Sequence, residues 1–315
     1  MRTSKKLFAA SAALAVSLGM TGCGSSSGGG GGSSSQDLKG VTLTVASKDF
    51  TENILLGKMF IKALEANGAK VNDKTNLGGS SVNRSALTSG RIDVTPEYNG
   101  TGWTVYLKHA NPNKNPKKLF DMVAAEDLKT NSVKWFGSSP FNDTYGFAAS
   151  PDLAKKNGGA FDLKAMAAYL KANRSAKVCM ETEFPDRPDG LILFQKATGY
   201  QIPASQTQIL DTGLIYTQTG KGKCDFGEVF TTDGRIQALK LSLVKDPGVF
   251  VLYNVSFTML DKVYQKHAKA YDKIASEILK PLDNKEMASL NAKVDVSGTP
   301  ADKVAEDYLK QKGII

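Results

Sequence analysis

Four aromatic side chains stand at the ends of short apolar runs along the chain, at Tyr98, Tyr145, Phe230 and Tyr253, and a fifth such end carries Arg187. The face of an aromatic ring attracts a cation with about 0.5–2 kcal/mol, and this attraction does not require the cation to donate a hydrogen bond. Strand ends gather at the ligand-binding edge of an open α/β sheet. A single aromatic residue is more often part of a core, but the recurrence at equivalent strand ends indicates that these side chains contribute to a ligand-binding edge.

The sequence contains no comparable pattern of residues for covalent chemistry. The chain has two histidines, far apart at His109 and His267, and no cluster with the spacing of metal ligands. The stretch from Gly220 to Lys223 lacks both the earlier glycine and the following Ser or Thr of a phosphate-binding loop. We therefore expect no catalytic residue, no metal and no cofactor. The basic residues behind the net charge of +9 are scattered, which argues against nucleic-acid binding.

The N-terminal segment carries export signals. Arg2, Lys5 and Lys6 precede an apolar run over 7–20, which is too short to span about 30 Å of hydrocarbon. The segment over 20–23 resembles the lipobox of bacterial lipoproteins, which implies cleavage before Cys23 and its lipidation. We predict a signal peptide over 1–22, a lipidated Gly/Ser linker over 23–36, and a location outside the cytoplasm on the cell membrane. An ordinary secretory signal with a free cysteine is the alternative.

Cys179 and Cys224 remain after Cys23. An even number of cysteines in an exported protein favours a disulfide. If both residues lie on neighbouring parallel strands, they sit at similar depth and a bond is geometrically possible. Two buried thiols are the other possibility.

Short apolar runs alternate with amphipathic segments, a pattern typical of an open α/β sheet or two such sheets. The patterns predict strands over 41–46, 92–95, 145–149, 176–180, 223–229 and 249–252, and helices over 52–67, 81–89, 117–129, 162–173, 268–279, 284–291 and 301–312. For the last helix, Thr299 is the expected N-cap and Pro300 the first helical residue.

Several segments together resemble the substrate-binding proteins of ABC importers for glycine betaine, choline and related quaternary amines. They are SKDFTE at 47–52, NLGG at 76–79, GRID at 90–93, PEYNGT at 96–101, NDTY at 142–145, EFPDRPDG at 183–190, TTDGRI at 231–236 and YN at 253–254. The resemblance implies a two-lobed periplasmic-binding-protein fold of type II, with two chain crossings near 141–144 and 253–257. Lobe 1 would comprise 37–142 plus 257–315, and lobe 2 would comprise 143–256.

The resemblance also implies roles for single residues. Tyr98, Tyr145, Phe230 and Tyr253 would surround the ligand cation with Asp143 beside it, while Lys48, Thr101 and Arg187 would hold a carboxylate. Glu183 would orient Arg187. Phe230 and Asn53 depart from the Tyr and Gln that relatives often carry, and Trp103 either extends the cage or belongs to the core.

The expected function is that of an extracytoplasmic receptor that delivers a glycine betaine-like solute to a membrane permease. Choline has no carboxylate and would leave Arg187 without an anionic partner, so a betaine is favoured. Choline, carnitine, ectoine or another small zwitterion on the same fold remains an alternative. Two alternatives belong to other classes of protein. Turnover of a candidate substrate would indicate an exported enzyme, and a closed, dry cleft between the lobes would indicate an adhesion lipoprotein.

Overall fold

The computed structural model describes residues 37–315. The predicted signal peptide over 1–22 and the predicted lipidated linker over 23–36 lie outside the described residues. No helix within the described part of the chain has the length and apolar character needed to span a membrane.

The described chain contains ten strands and thirteen α-helices. The strands are β1 Thr42–Ala46, β2 Lys70–Lys74, β3 Val94–Tyr98, β4 Val133–Phe136, β5 Tyr145–Ala149, β6 Val178–Met180, β7 Thr207–Ile209, β8 Phe226–Phe230, β9 Ser242–Leu243 and β10 Val255–Leu260. The helices are α1 Thr51–Ala66, α2 Ser80–Thr88, α3 Asn99–Thr101, α4 Pro116–Asn131, α5 Pro151–Lys156, α6 Leu163–Ala172, α7 Leu191–Thr198, α8 Thr212–Gly220, α9 Arg235–Ala238, α10 Asp261–Tyr264, α11 Ala268–Leu279, α12 Asn284–Asp295 and α13 Ala301–Gln311. A π-helical segment, Gly102–Tyr106, continues α3, and a 3₁₀ turn, Ala204–Gln206, precedes β7.

The strands form two five-stranded sheets. The first has the order β2-β1-β3-β10-β4 and the second the order β7-β6-β8-β5-β9. The chain builds the first sheet up to β4, continues through all five strands of the second, and returns in β10, which runs antiparallel to both β3 and β4. The second sheet likewise receives β5 antiparallel to β8. Two connections therefore join the sheets, one before β5 and one before β10.

The crevice of the first sheet opens between β1 and β3. These strands pair in the register Val45–Val94, and Pro96 follows two residues later in β3. Proline has no N–H to donate to a ladder. The beginning of α1 lies against this position, where the Asn53 side chain donates to the Pro96 carbonyl at 3.4 Å. Ligands bind at such switch points of open α/β sheets.

Helix α1 anchors the first sheet. Its buried face includes Leu55, Met59 and Phe60, and the Phe60 ring stacks on Phe257 of β10 at 4.2 Å. Burial of each such side chain contributes about 1.5–3 kcal/mol. Because α11, α12 and α13 pack on α1, the C-terminal helices hold α1 and the residues at its start in a fixed position.

Some predicted elements match and others are wrong. The predictions over 145–149 and 268–279 agree with β5 and α11. The strand predicted over 249–252 is absent, because the Asp246 carboxylate accepts hydrogen bonds from the backbone N–H groups of Gly248, Val249 and Phe250. A turn therefore takes those amides, and the strand forms later, at β10.

Other corrections concern element ends and weak strands. The strand predicted over 92–95 is β3, which begins at Val94 because the Ile92 N–H still bonds to the Ala86 carbonyl. Pro300, and not Thr299, is the N-cap of α13, and its carbonyl accepts from the N–H groups of Lys303 and Val304. Strands β2, β4, β7, β9 and β10 were not predicted.

Candidate functional site

Five aromatic rings close into a circuit beside a cavity of about 420 Å³. The centroid distances are 6.0 Å from Phe50 to Tyr98, 6.1 Å from Tyr98 to Tyr253, 5.4 Å from Tyr253 to Tyr145, 5.2 Å from Tyr145 to Phe230 and 4.9 Å from Phe230 to Phe50. Neighbouring rings are thus in contact with one another, and together they form a continuous aromatic surface that can attract a cation.

Strand registers explain why these rings meet. Tyr145 opens β5 and Phe230 closes β8, and the two residues are directly paired across the antiparallel ladder. Tyr98 closes β3 opposite Val255 of β10, which places Tyr253 next to it at the entrance to β10. Phe50 is the N-cap residue of α1. The aromatic circuit thus draws on both sheets, on the start of α1 and on the connection that leads into β10.

Phe50 is the member of the aromatic circuit that sequence analysis did not assign. It lies in the SKDFTE segment, four residues after the end of β1. The signal that could have found it is the rule used for the other rings, since Phe50 also follows a strand end of the first sheet.

Two buried carboxyl groups, Glu52 and Asp143, lie next to the aromatic circuit and are called the carboxyl pair below. The Tyr98 hydroxyl donates to Glu52 Oε1 at 3.0 Å, and Asn291 Nδ2 donates to Oε2 at 3.1 Å. The Thr232 hydroxyl reaches Glu52 Oε2 at 2.6 Å and also bonds to Asp143 Oδ1. Burial raises the pKa of Glu52 to about 7. Burial and the nearby Glu52 charge raise the pKa of Asp143 well above its usual range.

Lys48 has a protein partner. Its Nζ lies 2.7 Å from Glu97 Oε1, and both residues are buried. The same Nζ lies 5.1 Å from the centroid of the Tyr98 ring. Asn53 Oδ1 accepts from the Lys48 backbone N–H at 2.7 Å, so Asn53 fixes the start of the loop that carries Lys48 and Phe50.

Arg187 uses all five of its N–H donors on the protein. Nε and Nη2 hold the two oxygens of the buried Asp189, each at 2.9 Å, while Nη2 also bonds to Thr101 Oγ1 at 3.2 Å. Nη1 bonds to Ser80 Oγ at 3.1 Å and to Glu183 Oε2 at 3.2 Å. Burial alone would raise the pKa of Asp189, but the Arg187 charge holds it below the usual range.

These contacts correct one argument from the sequence. The expectation that Arg187 would lack an anionic partner without a ligand carboxylate is wrong, because Asp189 and Glu183 both pair with it. Asp189, which lies two residues further along the same EFPDRPDG segment, was not assigned. The preference for betaine over choline therefore cannot rest on an unpaired Arg187.

The structure brings all eight predicted ligand-binding residues to one cavity. Lys48, Tyr98, Thr101, Asp143, Tyr145, Arg187, Phe230 and Tyr253 all line it, together with Phe50, Glu181 and Glu183. Trp103 is not part of its wall and stacks on His109 at 4.1 Å. The structure shows that the eight predicted residues lie together, whereas their contacts with a ligand stay a prediction.

A second cavity of about 550 Å³ has different chemistry. Lys108, Lys114 and Lys196 and several apolar side chains line it, but no carboxylate does. None of the five rings of the aromatic circuit contributes to it. Although it is larger, it lacks the groups that would recognise an organic cation, so the cavity at the aromatic circuit is the candidate site.

A disulfide joins Cys179 and Cys224, with their Cα atoms 5.8 Å apart. Cys179 is the middle residue of β6, and Cys224 lies two residues before β8. Strands β6 and β8 are parallel neighbours. The bond therefore lies inside the second sheet region and ties the segment leading into β8 to β6. Across 37–315, no group of three or more His, Cys, Asp or Glu residues could hold a metal ion.

Comparisons with known proteins identify the family. Residues 41–311 match the model for the substrate-binding domain of ABC-type glycine betaine transport systems. The chain belongs to this family. It is 32% identical over 277 residues to the glycine betaine-binding protein YehZ of Escherichia coli K12, covering 85% of this chain and 90% of YehZ. It is 30% identical over 281 residues to a glycine-betaine-binding protein of Pseudomonas aeruginosa PAO1, covering 87% and 89%.

Solved structures agree on the fold. A crystal structure described as a glycine betaine/carnitine/choline ABC transporter has a TM-score of 0.69 at 26% identity, covering 86% of this chain and 99% of that one. Lactococcal OpuAC in its closed, glycine betaine-bound form has a TM-score of 0.60 at 13% identity, covering 87% and 98%, and supports the fold alone. The protein has the type II periplasmic-binding-protein fold. Members of its family are solute-binding proteins that work outside the cytoplasm with an ABC permease.

Proposed function

We propose that this protein captures a glycine betaine-like quaternary ammonium solute inside the aromatic circuit and delivers it to an ABC permease. The observation that carries the proposal is the closed circuit of five rings at one cavity, with the carboxyl pair next to it. A trimethylammonium group offers no N–H, so ring faces and carboxylates are the groups that attract it. Relatives named for glycine betaine and for carnitine support the same class of ligand.

The binding free energy that five rings can supply is comparable with that of micromolar ligand binding. Each ring contributes about 0.5–2 kcal/mol, depending on how far the cation is desolvated. Micromolar binding requires about 8 kcal/mol net. Five rings therefore supply much of the binding free energy, and the carboxyl pair and the contacts at the other end of the ligand supply the rest.

Another part of the cavity wall suits a carboxylate. Lys48, Thr101 and Arg187 line it, as the family resemblance implied. Because Arg187 is already bonded, an incoming carboxylate has to replace one of its partners. Glu183 is the group to leave, since its side chain is 35% exposed and its bond to Arg187 measures 3.2 Å, whereas the Asp189 side chain is fully buried and bonded at 2.9 Å.

The ligand site lies between two lobes in this proposal. Lobe 1 comprises 37–142 and 257–315 and contains the first sheet except the first two residues of β10, and lobe 2 comprises 143–256 and contains the second sheet. The crossings are near 141–144 and 253–257. A solute that contacts Tyr98 and Phe50 on one side and Tyr145 and Phe230 on the other would stabilise the closed arrangement, which is the form that docks on the permease.

A lipid on Cys23 would hold the receptor at the membrane. Multiple acyl chains dominate such retention, because each buried methylene contributes about 0.8 kcal/mol. Cys23→Ser should release the protein from the membrane fraction and leave ligand affinity unchanged. If the variant stays with membranes in cells that lack the permease, the anchor is elsewhere.

Calorimetric titration of the purified protein tests the function. Glycine betaine, choline, carnitine, ectoine and proline are the ligands to compare, with each recovered afterwards and checked for chemical change. We expect quaternary ammonium compounds to bind and proline to bind at least about tenfold more weakly, which corresponds to about 1.4 kcal/mol. Every ligand should be recovered chemically unchanged, because the proposed function includes no catalysis. Preferred binding of proline would overturn the proposed ligand class, and turnover would indicate an enzyme.

A further inference from the structure

The carboxyl pair has a hydrogen-bond pattern that requires a proton. The Thr232 hydroxyl lies within bonding distance of Glu52 Oε2 and of Asp143 Oδ1. A hydroxyl has a single proton to donate. If it donates to one carboxyl group, the other contact is a hydrogen bond only when that second carboxyl group donates its own proton to the Thr232 oxygen. The geometry thus fits a pair that holds one proton between its two members.

The neighbours of the carboxyl pair supply hydrogen bonds but no positive charge. Glu52 accepts from Tyr98 of β3 and Asn291 of α12, and Asp143 accepts from the Thr232 backbone N–H at 3.2 Å. No lysine or arginine among residues 37–315 forms an ion pair with either carboxyl group.

The charged groups nearby are already engaged with one another. Asp233 adds negative charge near Asp143, but Arg235 binds it with Nε at 2.9 Å and also lies 3.5 Å from Asp295. Lys48, the cation over the Tyr98 ring, is paired with Glu97. A second ionised carboxylate in this buried place would therefore stand uncompensated, which is costly.

We propose that Glu52 is a charge-selecting residue of the ligand site: with Asp143 it retains one proton while the aromatic circuit is empty, and the quaternary ammonium group of the ligand displaces that proton to solvent. The inference rests on the proposed function. One carboxyl O–H bond breaks, water takes the proton, and the ammonium charge compensates the second carboxylate. A neutral molecule of the same shape gains nothing from this exchange.

The direction of the pH effect follows from this exchange. Burial raises the pKa of Glu52 to about 7 in the empty protein. A bound cation favours the ionised carboxyl groups and lowers their pKa. Affinity should therefore be highest above about pH 7 and fall by up to about tenfold per unit as the pH decreases below it, because the protein must then lose a proton to bind.

Calorimetry in two buffers with different ionisation enthalpies counts the protons. The full chain is titrated with choline and with glycine betaine at about pH 5.5 and about pH 8. We expect proton release approaching one per ligand at the lower pH and little at the higher pH. A neutral isostere of choline, 3,3-dimethylbutan-1-ol, should bind weakly and release none.

Two variants assign the proton. Glu52→Gln should abolish proton release and flatten the pH dependence of affinity. Asp295→Asn is the matched control, since the Asp295 carboxyl group also has a pKa raised by burial but does not line the cavity; it should release protons like the wild type. If Glu52→Gln fails to fold, the two-buffer result on the wild type still decides. Ligand binding without proton release at either pH overturns the inference, whereas absence of binding by every quaternary amine overturns the proposed function instead.

Discussion

Some residues around the cavity attract the ligand cation, and others compensate the charges of the cavity wall. The five rings offer π faces, whereas both cations of the cavity wall are held by protein carboxylates, Lys48 by Glu97 and Arg187 by Asp189. The positive charges at the site therefore do not repel an incoming ammonium group strongly. Binding of the cationic end depends on the rings and on the carboxyl pair.

Phe50 allows the contribution of a ring face to be separated from that of apolar bulk. Phe50→Leu keeps an apolar side chain but removes the π face, so affinity for choline should fall by about three- to tenfold, which corresponds to about 0.7–1.4 kcal/mol. Trp103→Leu, which removes an aromatic ring outside the cavity, should leave affinity unchanged. Calorimetric titration with choline gives the Kd of each variant. Equal losses of affinity in the two variants would mean that Phe50 acts through packing.

Glu52 should affect the stability of the ligand-free protein in a pH-dependent way. Its pKa is raised from 4.5 to about 7 by burial, so the folded state favours the protonated form. Stability from this group is complete below about pH 4.5 and is lost as the pH rises to about 7, by on the order of 3 kcal/mol. Glu52→Gln cannot ionise, so urea unfolding should show the variant gaining stability relative to wild type between about pH 5 and pH 7.5. A constant difference would show that Glu52 is charged throughout.

Strand ends made five of the cavity residues predictable and the family resemblance supplied Lys48, Thr101 and Asp143, but most pairings between distant segments were not predictable. Arg187 was found in the segment that follows a short strand, and its expected pairing with Glu183 is present, yet nothing in the sequence indicates that Asp189, Ser80 and Thr101 would occupy its other donors. Glu52 meets Thr232 across 180 residues of chain. Such contacts depend on how the two sheets face each other, which periodicity does not contain.

At the level of elements, the predictions were accurate where one helix face or one strand is buried against a core. Strand β10 shows the limit, because its apolar sequence follows another apolar run, 249–252, that looks equally strand-like. The Asp246 carboxylate decides between them by binding three successive N–H groups. The edge strand β2, with four polar residues of five, has no apolar alternation to reveal it.

The disulfide should stabilise the second sheet without taking part in binding. It closes a loop with a sequence separation of 45 residues, for which the chain-entropy model gives about 4 kcal/mol. Cys179→Ser/Cys224→Ser should lower the free energy of unfolding by about 2–4 kcal/mol, measured by urea titration. Because neither cysteine lines the cavity, choline affinity at a temperature where the variant is folded should match wild type. A loss of affinity in the folded variant would mean that the bond also sets the position of Phe230.

At the level of the whole molecule, the two sheets meet through contacts that leave no room for added atoms. A Cβ on Gly79 would lie 2.3 Å from Glu183 Oε1, and a Cβ on Gly234 would lie 2.4 Å from the Cβ of Ala292. Gly79 precedes α2 beside the first sheet, and Glu183 follows β6 of the second. Gly234 precedes α9 and Ala292 belongs to α12, which packs on α1. These glycines permit the close approach of the two sheet regions.

Gly234→Ala tests whether this close approach is coupled to binding. Gly234 has φ of −65° and ψ of −21°, which alanine adopts without strain, so the added methyl group acts through its contact with Ala292. That contact includes the Ala292 backbone nitrogen at 2.6 Å, which cannot rotate away. If the lobes open and close, the open form accommodates the methyl group and the closed form does not. We therefore expect choline affinity to fall at least about tenfold, or 1.4 kcal/mol, while the melting temperature without ligand is nearly unchanged.

Gly220→Ala is the control for Gly234→Ala, because its Cβ would meet Leu239 at 3.2 Å within the second sheet region alone. It should leave the Kd for choline close to that of wild type. Small-angle scattering gives the second readout: saturating choline should reduce the radius of gyration of wild type and of Gly220→Ala, and reduce that of Gly234→Ala less. If Gly234→Ala instead unfolds at a lower temperature without ligand and contracts normally with it, the contact with Ala292 belongs to a permanent interface, and the receptor does not open between α9 and α12.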